Sequence, residues 1–111
     1  MSRSICGVVF NVAIVAVMGL ASQAGAAELQ VLQKDKSFKP VSLKVKVGDT
    51  VDFRNEDDIF HNVFSLSDIK SFDLGSYPKG QGRKVVFDKP GIVEVECSIH
   101  PEMHMKIEVS Q

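Results

Sequence analysis

From residue 41 to 47 apolar and polar side chains alternate one by one, Val41, Leu43, Val45 and Val47 set against Ser42, Lys44 and Lys46. Side chains of an extended chain point to opposite faces in turn, so this period of two predicts a half-buried strand with all four apolar residues inward. Gly48 and Asp49 supply a turn, and the alternation resumes over 50–54 with Val51 and Phe53 inward. That predicts an antiparallel pair of strands. Similar runs occupy 28–33, 60–66, 83–87, 92–97 and 105–109, each bounded by Gly, Pro, Asp or Ser. About seven short strands in so short a chain predict an all-β sandwich. Residues 68–81 break the pattern, because Asp73, Gly75, Ser76, Pro78 and Gly80 predict a long loop with room for one helical turn. Lys34, Lys36, Lys39, Lys44 and Lys46 predict a solvated face that protects an edge strand.

The first 27 residues differ from the rest. They contain no acid and a single base, Arg3, ahead of an apolar run over 5–20 that ends in Ala24-Gly25-Ala26. A positive start, an apolar stretch and small residues predict a secretory signal peptide, 1–26, cleaved after Ala26 to leave one domain, 27–111. An uncleaved membrane anchor fits less well: Asn11 interrupts the run, and small residues rather than a basic cluster follow it. The expected location is the periplasm, with no membrane contact after cleavage. Cys6 precedes the apolar run and leaves with the signal, so the mature chain keeps one thiol, Cys97.

A chain of 111 residues is one domain at most. Thirteen Lys and Arg against 14 Asp and Glu leave a net charge of −1, and losing Arg3 takes it to −2. No basic excess is available to neutralise phosphates, which excludes nucleic acid as a partner. A domain this small buries only about 60% of its unfolded surface and needs a staple. A single Cys97 rules out an internal disulfide, leaving an intermolecular bridge, a reactive thiol or a metal ligand.

The chemistry is concentrated in one segment. Cys97-Ser98-Ile99-His100-Pro101-Glu102-Met103-His104-Met105 packs a thiol, two imidazoles and two thioethers into the end of a predicted strand. Thiolate and imidazole suit borderline or soft ions, and thioethers favour copper over hard ions. Zinc structural sites usually pair their cysteines, and iron-sulfur clusters need more of them. Another strong donor is required, and His61 in Phe60-His61-Asn62-Val63 is the remaining histidine. Two histidines, one thiolate and a long axial methionine make the trigonal site of blue-copper electron transfer. Taken singly, each has a plainer reading: His61 as an exposed histidine, Cys97 as a buried apolar residue, Met103 and Met105 as core. Met105 keeps that plainer reading, because Met105, Ile107 and Val109 alternate inward.

Val45-Lys46-Val47-Gly48-Asp49-Thr50-Val51, Phe60-His61-Asn62-Val63, Phe87-Asp88-Lys89-Pro90-Gly91 and Cys97-x-x-His100-x-x-Met103 resemble the cupredoxins, the type 1 blue copper proteins, in that order. The resemblance covers nearly all of the mature chain, and the ligand loop with Pro101 is most similar to that of the amicyanins. It implies a Greek-key β-sandwich of about seven to eight strands. It further implies one copper per chain, cycling between Cu(I) and Cu(II), with His61, Cys97 and His100 equatorial and Met103 axial. Asn62 would bond across the site and steady the Cys97 loop. Ile99 stands where many relatives carry Pro, and Glu102 and His104 flank the methionine; a nitrosocyanin-like red copper site would use His104 instead.

The resemblance therefore implies a monomeric one-electron carrier rather than an enzyme, and no nucleophile with a base or acid/base carboxylate pair argues otherwise. Its electron exit would be the edge of His100 within an apolar patch of Pro101, Ile99, Phe60 or Ile59. Acids gather in sequence near the site (Glu56, Asp57, Asp58, Glu94, Glu96, Glu102), which suggests steering of a basic partner such as a c-type cytochrome or an exported dehydrogenase. A periplasmic copper-tolerance protein is the alternative from another functional class.

Overall fold

The structure, a computed structural model, describes residues 25–111. The predicted leader up to residue 24, with Cys6 and the apolar run, lies outside the described residues. Among these residues nine strands follow one another: β1 (Glu28–Lys34), β2 (Ser37–Lys39), β3 (Ser42–Lys46), β4 (Thr50–Asn55), β5 (His61–Ser67), β6 (Lys70–Tyr77), β7 (Gly82–Val86), β8 (Gly91–Cys97) and β9 (His104–Ser110). They form two sheets, one ordered β2-β1-β4-β7 and the other β3-β9-β8-β5-β6. The all-β sandwich expected from the alternation is therefore observed.

Most residues that the period-two alternation predicts inward are buried. Val51 and Phe53 of β4, Val93 and Val95 of β8, and Met105, Ile107 and Val109 of β9 all turn into the core. Phe72 packs between Phe53 and Phe87, with ring centroids 6.0 and 6.3 Å away. Each such side chain contributes about 1.5–3 kcal/mol through burial. Lysines mark the edges: β2 and β3 close one end of each sheet, and Lys39, Lys44 and Lys46 are exposed on them.

The expected hairpin across Gly48-Asp49 is not one. β3 pairs with β9 and β4 with β1, both in parallel, so this turn carries the chain from one sheet to the other. Its backbone partners come instead from Phe87, whose carbonyl accepts from Gly48 and whose amide donates to the Asp49 carbonyl. Because β3 ends at this crossing, only its centre is covered: Val45 is buried, while Val41 and Val47 are 60% and 38% exposed.

The expected loop over 68–81 is largely the strand β6. It pairs antiparallel with β5, and its Phe72 and Leu74 pack against the core. The register slips between Asn62 and Phe64, which face Ser76 and Asp73, so β6 carries an extra residue there. Gly75 sits in this bulge at φ 72°, and its amide donates to the Asp73 carboxylate at 2.9 Å. Asp and Gly, read as turn residues, here serve a β-bulge, which needs the same left-handed backbone.

Candidate metal centre

Two neighbouring strands close the 36-residue gap between the sequence signals. β5 and β8 are antiparallel with Val63 opposite Cys97, which places the start of β5 beside the end of β8. His61, Val63 and Ser65 share the inner face of β5, as Val93, Val95 and Cys97 share that of β8. Beyond Cys97 the chain turns back tightly into β9. Met103 donates its amide to the His100 carbonyl at 2.8 Å, and the Met103 carbonyl accepts from Cys97 at 3.2 Å. These bonds fold His100 over the thiol.

His61, Cys97 and His100 thereby present three donor atoms that all lie within 4.8 Å of one another. His61 Nδ1 is 3.8 Å from Cys97 Sγ and His100 Nδ1 is 3.7 Å from it. Bonds of about 2.3 Å to sulfur and about 2.0 Å to nitrogen, about 120° apart, separate such atoms by about 3.7 Å. Both sulfur–nitrogen distances therefore suit one borderline or soft ion between the thiol and the two imidazoles. Met103 is fully buried in the same turn. The two imidazoles lie edge to face, centroids 4.9 Å apart, but their surroundings differ: His61 is completely buried and His100 half-exposed.

Behind His61 stands a buried polar frame that the sequence reading does not contain. His61 Nε2 lies 2.6 Å from Asp57 Oδ2. The same carboxylate accepts the amides of Asp35 at 2.7 Å and Lys36 at 3.0 Å. Burial by itself would raise the Asp57 carboxyl, but the Lys36 amide, the His61 ring and the Asp35 amide outweigh it and hold the group below its usual range. Asn55 fixes the approach to β5: its Nδ2 donates to the carbonyls of Ile59 and Tyr77, and its Oδ1 accepts the Asp57 amide. Tyr77, opposite His61 across β5 and β6, donates to the Phe53 carbonyl and accepts from Gln33 Nε2. Burial pushes the Tyr77 phenol up to about 12.

Other expected residues fall in different places. Asn62 does steady the Cys97 turn, but through its backbone: its amide donates to Cys97 Sγ at 3.4 Å and its carbonyl accepts from Ser98 at 3.2 Å. Strand alternation sends its side chain to the face opposite His61. His104 is exposed and faces Glu96 across β8 and β9, outside the donor group, while Met105 is core. Among the acids, Asp57 belongs to the buried frame rather than the surface, Asp58 pairs with Lys79 at 3.0 Å, and Glu94 faces Lys106. Ile59 and Phe60, which precede His61, and Ile99, which precedes His100, are 39%, 54% and 49% exposed. Asp57 has no periodic signal, since three adjacent acids in a loop do not reveal which one turns inward, whereas Asn55 continues the inward period of Val51 and Phe53 at the end of β4.

Comparison with known proteins agrees with this geometry. Residues 26–110 match the copper binding proteins of the plastocyanin/azurin family. The chain is 32% identical over 96 residues to the methylamine utilization protein MauL of Methylorubrum extorquens AM1, covering 86% of this chain and 84% of that one. A reduced amicyanin variant superposes with a TM-score of 0.70 at 27% identity, over 80% of this chain and 86% of amicyanin. A purple cupredoxin from Nitrosopumilus maritimus gives 0.67 at 26% identity, over 73% of this chain and 98% of that one. The copper-containing nitrite reductase NirK of Thermus scotoductus SA-01 gives 0.71 at 30% identity, but this chain spans only 25% of it.

Proposed function

The chain belongs to the plastocyanin/azurin family of copper-binding proteins, a family of cupredoxin electron carriers, and we propose that it is a periplasmic one-electron carrier whose copper is held by His61, Cys97, His100 and, axially, Met103. The observation that carries this reading is the convergence of His61 Nδ1, Cys97 Sγ and His100 Nδ1 at trigonal spacing. Copper bound there supplies a Cu(II)/Cu(I) couple. The residues supply rigidity and access. His61 sits on a strand, and hydrogen bonds of the 97–103 turn hold Cys97 and His100, so neither oxidation state requires the donors to move. Met103, fully buried in that turn, is the soft donor available for the axial position, whereas His104 faces outward.

His100 turns Nδ1 to the thiol, which leaves its other edge on the exposed side of the ring. Ile59 and Phe60 before His61, and Ile99 and Pro101 on either side of His100, are exposed and would give that edge an apolar surround, suited to brief docking of a redox protein such as a c-type cytochrome or an exported dehydrogenase. Export with cleavage after Ala26 is supported by the fold's own start: the Ala27 amide donates to Asp49 Oδ1 at 2.9 Å, so the amine released by cleavage would meet a carboxylate. N-terminal sequencing of the exported protein tests that point, and a start other than Ala27 overturns it.

The visible spectrum of the Cu(II) protein, compared with Met103→Ala and His104→Ala, tests the site. An intense thiolate-to-copper band altered by Met103→Ala and indifferent to His104→Ala is expected. A weak or red complex that depends on His104 would overturn the ligand assignment.

A further inference from the structure

Asp57 has no place in the donor set, yet its carboxylate is in direct contact with one member of it. Its carboxylate is nearly buried and makes three contacts, to His61 Nε2 at 2.6 Å and to the Asp35 and Lys36 amides. Its own amide is held by Asn55. Asp35 and Lys36 form the two-residue turn between β1 and β2, both at φ 54°, a left-handed conformation that lysine seldom adopts. A strained turn is thus fastened to the same carboxylate that grips a histidine of the centre.

An ionised carboxylate only accepts hydrogen bonds, so His61 Nε2 must be the donor. That leaves Nδ1, the atom facing Cys97, without a proton and free for a metal. A carboxylate behind a ligating imidazole also makes the ring a stronger electron donor. The more highly charged ion gains more from that donation and from the nearby negative charge.

We propose that Asp57 is the positioning residue that sets the tautomer of His61 and biases the centre toward Cu(II), lowering the reduction potential. This rests on ligation by His61. In Asp57→Asn, the preference for Cu(II) over Cu(I) falls by about tenfold, which for one electron raises the potential by about 59 mV. The thiolate-to-copper band persists and the apo protein loses thermal stability. A purely structural role would lower stability but leave the potential unchanged, and that outcome overturns the proposal. Proton-nitrogen NMR of the unmodified Cu(I) protein needs no variant: a slowly exchanging, downfield His61 Nε2–H is expected, and a His61 ring protonated at Nδ1 overturns the tautomer assignment. His61→Gly separates the two readings. A copper spectrum unchanged by it would remove His61 from the ligands, whereas an unshifted potential in Asp57→Asn alone would remove only the role of Asp57.

Discussion

His61 and His100 offer the same atom to the same thiol, at 3.8 and 3.7 Å, and little else about them is alike. His61 begins a central strand, is fully buried, and is backed by Asp57, Asn55 and Tyr77. His100 rides on a short turn and is only half-buried, with exposed Ile99 and Pro101 on either side of it in the chain. The contrast teaches that a carrier's centre has an anchored side and an open side. Anchoring by strand, carboxylate and core limits motion of the donors, and the open side shortens the path to a partner.

Removing each ring in turn tests that asymmetry most strongly. His61→Gly leaves the Asp57 carboxylate buried without its partner and opens a cavity, so the apo protein should lose about 3–5 kcal/mol in urea unfolding. His100→Gly should cost less than about 1 kcal/mol, and added imidazole should restore its copper spectrum. Equal losses would break the comparison. Next in size is Asn55→Ala, which strands the Ile59 and Tyr77 carbonyls and the Asp57 amide. A loss of about 2–3 kcal/mol is expected, again by urea unfolding, and a loss near zero would mean that the frame is not what anchors β5.

The anchored side also carries a pH signature. Tyr77 stays neutral in the fold up to about 12, while the unfolded chain ionises it near 10.0. Between these values the unfolded state holds fewer protons, so stability falls as pH rises through this window, by at most about 3 kcal/mol in all. The chain has one tyrosine and no tryptophan, so tyrosinate absorbance reports this group alone. Titration near 10 in the folded protein would show the ring to be open to water. The smallest stability effect belongs to the open side: Ile99→Lys should change unfolding by no more than about 0.5 kcal/mol. It should nevertheless slow electron self-exchange between copies on the order of tenfold, because like charges would face each other at the contact. An unchanged rate would move the exit away from His100.

Much of this was legible in one dimension. Strands β1, β4, β8 and β9 follow from alternation, because a sheet with one buried face repeats every second residue. The candidates Cys97, His100 and Met103 stand out because few cores need a thiol, imidazoles and thioethers so close together, and His61 stands out as the histidine left to complete the set. β6 was hidden because Asp73 and Gly75 serve a bulge with residues that also make turns. Pairing partners were hidden too: the Gly48-Asp49 signal is the same whether the next strand lies beside the last or in the opposite sheet.

Residue type and spacing alone therefore determined the fold class, the buried faces of most strands and the kind of ion, since these depend on local periodicity and on donor chemistry. Only the tertiary structure decided that Asp57, rather than Glu56 or Asp58, turns inward to His61, that Asn62 acts through its backbone, and that His104 faces water. Each of these depends on which strands become neighbours, and a contact between residues far apart in the chain leaves no periodic trace along it.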